Sequence, residues 1–156
     1  MSFIKKKIVV VGQGYVGLPL SISCAQSGYQ VIGIDLNAEK VSQLNKHQSI
    51  VEDVSDAQLK AVSESGKYKA TSDYAIDRMT EIICICVPTP LGSNHQPDLD
   101  ILKAATKDVG KGLKAGMLVI IESTIQPGTT RDVVVPILEK ESGLSRDQFL
   151  VAYSPE

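Results

Sequence analysis

Four consecutive β-branched residues, Ile8-Val9-Val10-Val11, run without a polar break into Gly12, and glycine returns at positions 14 and 17. No other stretch constrains the chain as tightly. An apolar run without alternation is a strand buried on both faces, as in a parallel sheet, and this glycine spacing fits a tight turn that opens a helix. Gly12 permits the bend, Gly14 leaves room for a pyrophosphate against the backbone, and Gly17 lets the helix, expected from about Gly14 to Ser27, pack closely on the strand. The free N–H groups and the positive end of that helix then face the phosphates of a dinucleotide.

A lone G-x-G-x-x-G also occurs in ordinary strand-to-helix turns, so the reading needs a second feature. Gln30 to Ile34 supplies it, as a second apolar strand ending in Asp35, close to the expected distance of about 20 residues beyond the glycines. A carboxylate there accepts hydrogen bonds from the adenosine ribose and repels a 2′-phosphate, which favours NAD over NADP. The same side chain can instead cap a helix starting near Asn37. Lys40 follows in that helix, expected over Ala38 to Lys46, where it either reaches back toward the ribose or lies on a solvated face.

The remaining chain repeats the strand-then-helix alternation. A helix is expected over Val54 to Ser65, then strands at Tyr68 to Thr71 and Glu81 to Val87, a helix from about Leu99 to Gly110 capped by Asp98, and a strand at Met117 to Ile121. A helix opening at Pro127-Gly128-Thr129-Thr130, with Val133, Val134, Ile137 and Leu138 facing the core, leads to a last strand at Phe149 to Ala152. This pattern predicts a single-domain α/β Rossmann fold, a doubly wound parallel sheet of six strands in order 3-2-1-4-5-6. Pro88-Thr89-Pro90 forbids regular structure beyond the fourth strand and fixes an extended loop at its carboxyl end, the edge where open α/β sheets bind ligands.

Composition matters for what it excludes. A net charge of -2 from interspersed signs, with Lys5 to Lys7 the basic run, gives no electrostatic case for nucleic acid. Every apolar run is interrupted well short of the roughly 18 residues of a membrane span. The three cysteines lack metal-like spacing; with no signal peptide they point to a reducing cytoplasm, and Cys24, Cys84 and Cys86 read as core residues, the last two on one strand face. His47 and His95 lie in polar loops with no clustered ligands, so no metal site is expected.

Several stretches together, G-Q-G-Y-V-G-L-P-L at 12 to 20, C-V-P-T-P-L at 86 to 91, P-D-L at 97 to 99, E-S-T-I-Q-P-G-T-T at 122 to 130 and Y-S-P-E at 153 to 156, closely resemble the UDP-glucose/GDP-mannose dehydrogenase family along the whole chain. They look most like its branch that oxidises UDP-N-acetylmannosamine or UDP-N-acetylglucosamine at C6. The resemblance implies an NAD-dependent, two-step oxidation of a nucleotide-sugar alcohol to its uronic acid for polysaccharide synthesis. Carried over by motif, Gly12, Gly14, Tyr15, Val16 and Gly17 would hold the pyrophosphate, Asp35 and Lys40 the adenosine ribose, and Thr89 the cofactor. Thr124 would lie near the nicotinamide and the catalytic water, and Glu156 would act in the water and proton steps.

Members of that family take their nucleophilic cysteine, an active-site lysine and the nucleotide-sugar domain from segments beyond the S-P-E motif. Residues 1 to 156 are therefore expected to be the N-terminal NAD-binding part of a longer, homodimeric enzyme, inactive alone. Two other readings share the glycine loop: a hydroxyacid- or 6-phosphogluconate-type dehydrogenase, and a non-enzymatic NAD-sensing module.

Overall fold

In the computed structural model, which describes residues 6–74, 76–92 and 97–155, the apolar run forms β1 (Lys7–Val11) inside a six-stranded sheet of order β3-β2-β1-β4-β5-β6. Its neighbours are β2 (Gln30–Ile34) and β4 (Thr80–Ile85), flanked by β3 (Tyr68–Thr71) on one side and by β5 (Leu118–Ile121) and β6 (Leu150–Tyr153) on the other. Every pairing is parallel. The expected topology is the observed one.

Alternation along the strands divides the core in two. Val9, Val11, Ile83 and Ile85 face one layer, where they meet Leu102 and Val109 of α4 (Asp100–Gly112) and Leu138 of α5 (Val135–Ser142). Ile8, Val10, Cys84 and Cys86 face the other, against Leu18 and Ile22 of α1 (Gly17–Gln26), Leu44 of α2 (Ala38–Asn45) and Leu59 of α3 (Asp56–Glu64). Each side chain of this size, once buried, contributes about 1.5–3 kcal/mol, so both layers hold the sheet edge rigid where the loops emerge.

Several boundaries differ from the sequence expectation, for local reasons. α1 begins at Gly17, not Gly14, because residues 14–16 form a turn before the helix. β4 stops at Ile85, not Val87: Cys86 and Val87 already belong to the outgoing loop, although both stay buried. Leu99 holds the N-cap position of α4 with no side-chain bond, and the Asp98 carboxylate instead accepts from the Asp100 N–H at 2.9 Å. The expected helix at Thr129-Thr130 opens as a wide π turn, Thr130–Val134, before α5 takes over. Pro136 sits at that handover and has no N–H for the carbonyl four residues back. On its core side Val134 and Leu138 are buried, whereas Val133 and Ile137 are only half-buried.

Candidate functional site

The glycine turn joins three strands. The Gly12 N–H donates to the Ile34 carbonyl at 2.7 Å, and the Cys86 N–H donates to the Val11 carbonyl at 2.8 Å, so the carboxyl ends of β1, β2 and β4 converge. Gly12 holds φ +90°, and a Cβ there would stand 2.7 Å from the Cys86 carbonyl oxygen, so only glycine fits. At Gly17 a Cβ would lie 1.7 Å from the Gly12 oxygen, which lets the first turn of α1 rest on the loop. A Cβ at Gly14 meets nothing within 4 Å and would project into open space.

That space is a crevice of about 440 Å³ that brings Gly12, Gly14, Tyr15, Val16, Asp35, Lys40, Thr89 and Thr124 together. Gly17 does not line it; it is buried behind the loop. Glu156, His95 and Lys5 lie outside the described residues. Cys86 belongs to the core as expected, yet it also reaches the crevice floor.

Asp35, just past the end of β2, lines the crevice. Its Oδ2 accepts from the Gln13 N–H at 3.0 Å and its Oδ1 from the Asn37 N–H at 2.9 Å. The helix-cap reading of Asp35 is therefore corrected: Asn37 caps α2, accepting from the Glu39 and Lys40 N–H groups, and Asp35 braces the cap residue. Lys40 Nζ stands 3.9 Å from Asp35 Oδ2, turned toward the crevice and not only to solvent. A carboxylate offers about four acceptor positions, so these contacts leave room for ribose hydroxyls.

The loops after β4 and β5 are clasped to each other. The Thr89 hydroxyl donates to the Thr124 carbonyl at 2.7 Å, and the Ser123 hydroxyl donates to the Val87 carbonyl at 2.6 Å. Tyr153 adds a third tie: its hydroxyl accepts from the Ile125 N–H and donates to the Ile125 carbonyl, both at 3.3 Å. With its proton committed, the Thr89 hydroxyl meets a ligand as an acceptor.

Against this frame the matches to known proteins are decisive. Residues 6–156 match the UDP-glucose/GDP-mannose dehydrogenase family, NAD binding domain. The chain belongs to this family. It is 41% identical over 152 residues to the UDP-N-acetyl-D-mannosamine dehydrogenase of Pyrococcus horikoshii, covering 96% of this chain and 36% of that protein. It is 39% identical over 151 residues to the UDP-N-acetyl-D-glucosamine 6-dehydrogenase of Pseudomonas aeruginosa, covering 96% and 35%. Among solved structures, a ternary complex of GDP-mannose dehydrogenase from Pseudomonas aeruginosa superposes with a TM-score of 0.89 at 31% identity, over 96% of this chain and 36% of that one. The chain thus spans about a third of the length of these relatives. Neither a hydroxyacid-type dehydrogenase nor a sensing module is favoured by these matches.

For this family's cofactor, NAD, the residues present fit. The position where a Cβ at Gly14 would intrude is open, the Gly14 to Val16 turn at the start of α1 lines the same crevice, and a braced carboxylate stands beside it. A second crevice of about 310 Å³ shares Gly12, Asp35, Lys40, Val87 and Pro88 with the first and continues to Leu36, Tyr74 and the α4 face of Ile101, Ala104, Ala105 and Asp108. The two together form one elongated cleft with Asp35 at the junction. Burial, and then the nearby Asp108 and Asp35 carboxylates, push the Tyr74 phenol up to about 12, so it is a neutral hydroxyl at physiological pH.

Sequence reasoning missed the second crevice and the residue behind the first. Ile101, Ala104, Ala105 and Asp108 follow the i, i+3, i+4, i+7 spacing of one helix face, and that periodicity was the available signal. Gln13, between the glycines, is fully buried: its amide donates to the Val10 carbonyl at 3.0 Å, and its Oε1 accepts from the Ser21 and Tyr68 hydroxyls at 3.1 and 2.9 Å. Gly33 makes room for it, since a Cβ there would lie 2.5 Å from that Oε1. Among the described residues no group of three or more His, Cys, Asp or Glu is arranged to hold a metal ion, and no helix is long and apolar enough to cross a membrane.

Proposed function

We propose that this chain is the NAD-holding part of a nucleotide-sugar 6-dehydrogenase that oxidises a UDP-N-acetylhexosamine, with UDP-N-acetylmannosamine favoured, to its uronic acid. The observation that carries the cofactor half is the meeting of an open Gly14 position with the braced Asp35 carboxylate in one cleft. The substrate half rests on relatives whose names specify UDP-N-acetyl-D-mannosamine and UDP-N-acetyl-D-glucosamine. NAD, when bound, supplies the hydride acceptor.

The chain's own residues bind and orient. The N–H groups of the Gly14 to Val16 turn take the pyrophosphate, and Gly12 and Gly17 keep that turn in place from behind. Asp35 accepts from the adenosine ribose, with Lys40 beside it. The Thr89–Thr124 clasp fixes one wall of the crevice; with the cofactor bound, Thr124 would line its nicotinamide end and Glu156 would act in the water and proton steps. None of the three cysteines serves as the thiolate nucleophile. Burial holds the Cys24 thiol above its ordinary value and pushes Cys84 up to about 12, while Cys86 is 9% exposed in the core layer. The nucleophile, the active-site lysine and the UDP-sugar pocket come from further segments of a longer chain that works as a homodimer in the cytoplasm, a compartment that suits three cysteines outside any disulfide.

The test is NADH formation, followed by its absorbance, with UDP-N-acetylmannosamine and UDP-N-acetylglucosamine offered separately. The 156-residue chain should give none, because this reading assigns the sugar pocket to other segments, and positioning accounts for about 7–11 kcal/mol of a barrier. The longer chain carrying these residues should turn over. Steady turnover by the 156 residues alone would overturn the division of labour.

A further inference from the structure

Gln13 is set between Gly12 and Gly14, so the chain on either side of it has little conformational restraint of its own. Its side chain supplies the hold. The amide is fully buried and lines neither crevice; it occupies a socket made by Ser21 of α1, Gly33 of β2 and Tyr68 of β3. Burial, and then the Asp35 charge, hold the Tyr68 phenol well above its ordinary range, so its hydroxyl is the donor and Gln13 Oε1 the acceptor, at 2.9 Å. That fixes which way the amide points, and Nε2 accordingly donates to the Val10 and Gly12 carbonyls at 3.0 and 3.3 Å. The Ser21 hydroxyl has one proton, shared between the Gly17 carbonyl at 2.7 Å and Oε1 at 3.1 Å. A satisfied buried network of this kind selects one conformation of the loop, which an apolar side chain between two glycines would not.

The main-chain N–H of the same residue donates to Asp35 Oδ2 at 3.0 Å. Resting on the dinucleotide reading above, we propose that Gln13 is a positioning residue of the cofactor site: its buried amide, held by Tyr68, aims the main-chain N–H that keeps the Asp35 carboxylate turned to accept from the ribose and to repel a 2′-phosphate. With the socket's hydrogen bonds removed, that N–H no longer stays on Oδ2, and the carboxylate keeps the Asn37 N–H on Oδ1 as its remaining main-chain brace. It can then rotate out of the ribose position, which leaves Lys40 Nζ, 3.9 Å from Oδ2 in the intact site, to meet a 2′-phosphate. Gln13 touches no ligand in this arrangement and acts through Asp35.

The experiment is calorimetric titration of the 156-residue chain and its variants with NADH and with NADPH, each variant checked by circular dichroism and thermal melting. The unmodified chain should bind NADH about tenfold or more tighter than NADPH. Gln13→Met, similar in volume but without the amide, should bring the two affinities within about threefold. Tyr68→Phe removes the donor at 2.9 Å and lines neither crevice, and it should lower the ratio about threefold, the scale of one neutral hydrogen bond. Val62→Ala, in the same core layer as Tyr68, should melt earlier and keep the ratio, because lost stability alone does not tell one dinucleotide from the other. A ratio unchanged in both Gln13→Met and Tyr68→Phe, or one that falls as far in Val62→Ala, overturns the assignment while leaving the dinucleotide reading intact; should Gln13→Met not fold, Tyr68→Phe decides alone. Equal binding of NADH and NADPH by the unmodified chain overturns the reading of Asp35, and this assignment with it.

Discussion

Gly14→Val separates the fold from the site more cleanly than any other single change. A Cβ at this position meets no atom within 4 Å, and the backbone there does not hold the left-handed conformation of Gly12. A valine should therefore leave stability within about 1 kcal/mol of the parent, a small shift arising mainly from the unfolded chain. Its branched side chain would nevertheless stand in the crevice that Gly14 lines, where the proposed function has the N–H groups of the turn take the pyrophosphate. Losing two hydrogen bonds to a charged group, at about 1.5–3 kcal/mol each, costs about 3–6 kcal/mol, roughly two to four orders of magnitude in Kd. Gly17→Ala is the contrasting variant: its Cβ would sit 1.7 Å from the Gly12 oxygen, so the loop and α1 must move apart and the fold itself should lose stability. Circular dichroism with thermal melting reads the fold, and calorimetry with NADH reads the site. A folded Gly14→Val chain with unchanged NADH affinity would refute the reasoning, as would a Gly14→Val chain that fails to fold.

Two further predictions concern the loops and the core. Thr89→Val removes the hydroxyl that donates to the Thr124 carbonyl at 2.7 Å; it should cost about 0.5–1.5 kcal/mol in urea unfolding and weaken NADH binding, and Thr89→Ser should restore both. Cys84 provides the pH dependence. Burial raises its thiol from 9.0 to about 12 in the folded chain, so between those values the unfolded chain gives up a proton that the folded chain keeps. Its contribution to stability is complete below pH 9.0 and is lost as pH rises toward about 12, with a slope of about 1.4 kcal/mol per pH unit while one such group differs. Cys84→Ala should be less stable at neutral pH and show a shallower alkaline decline by that slope, measured by denaturant unfolding across the range; parallel alkaline profiles would count against the assignment.

The parts of this molecule that were legible in the sequence are those fixed by short-range pattern. Ile8 to Val11 and Gln30 to Ile34 fell within or on the observed strand limits because an unbroken β-branched run admits few alternatives. The glycines and Asp35 were legible because each answers to a local demand of turn or charge. What the sequence hid depended on neighbours from elsewhere in the chain. The start of α1 moved to Gly17 because residues 14–16 are held as a turn, and Thr89 is tied to a carbonyl that lies 35 positions away. Gln13 looks like a surface residue in a glycine loop, yet Ser21, Gly33 and Tyr68 together make a buried socket for it. The second crevice exists only because α4 meets the end of β2 in the fold, which puts Ile101 and Asp108 on one wall with Leu36.

The central claim is that Asp35 makes this cleft an NAD site, and paired titration of the unmodified chain with NADH and NADPH tests it most directly. The carboxylate is locked by the Gln13 and Asn37 N–H groups, so it cannot swing away from a 2′-phosphate, although Lys40 Nζ stands only 3.9 Å from it. The account predicts measurable NADH binding and NADPH weaker by tenfold or more, about 1.4 kcal/mol. Equal or tighter binding of NADPH would mean that Lys40 and not Asp35 governs the ribose position, and would contradict the account.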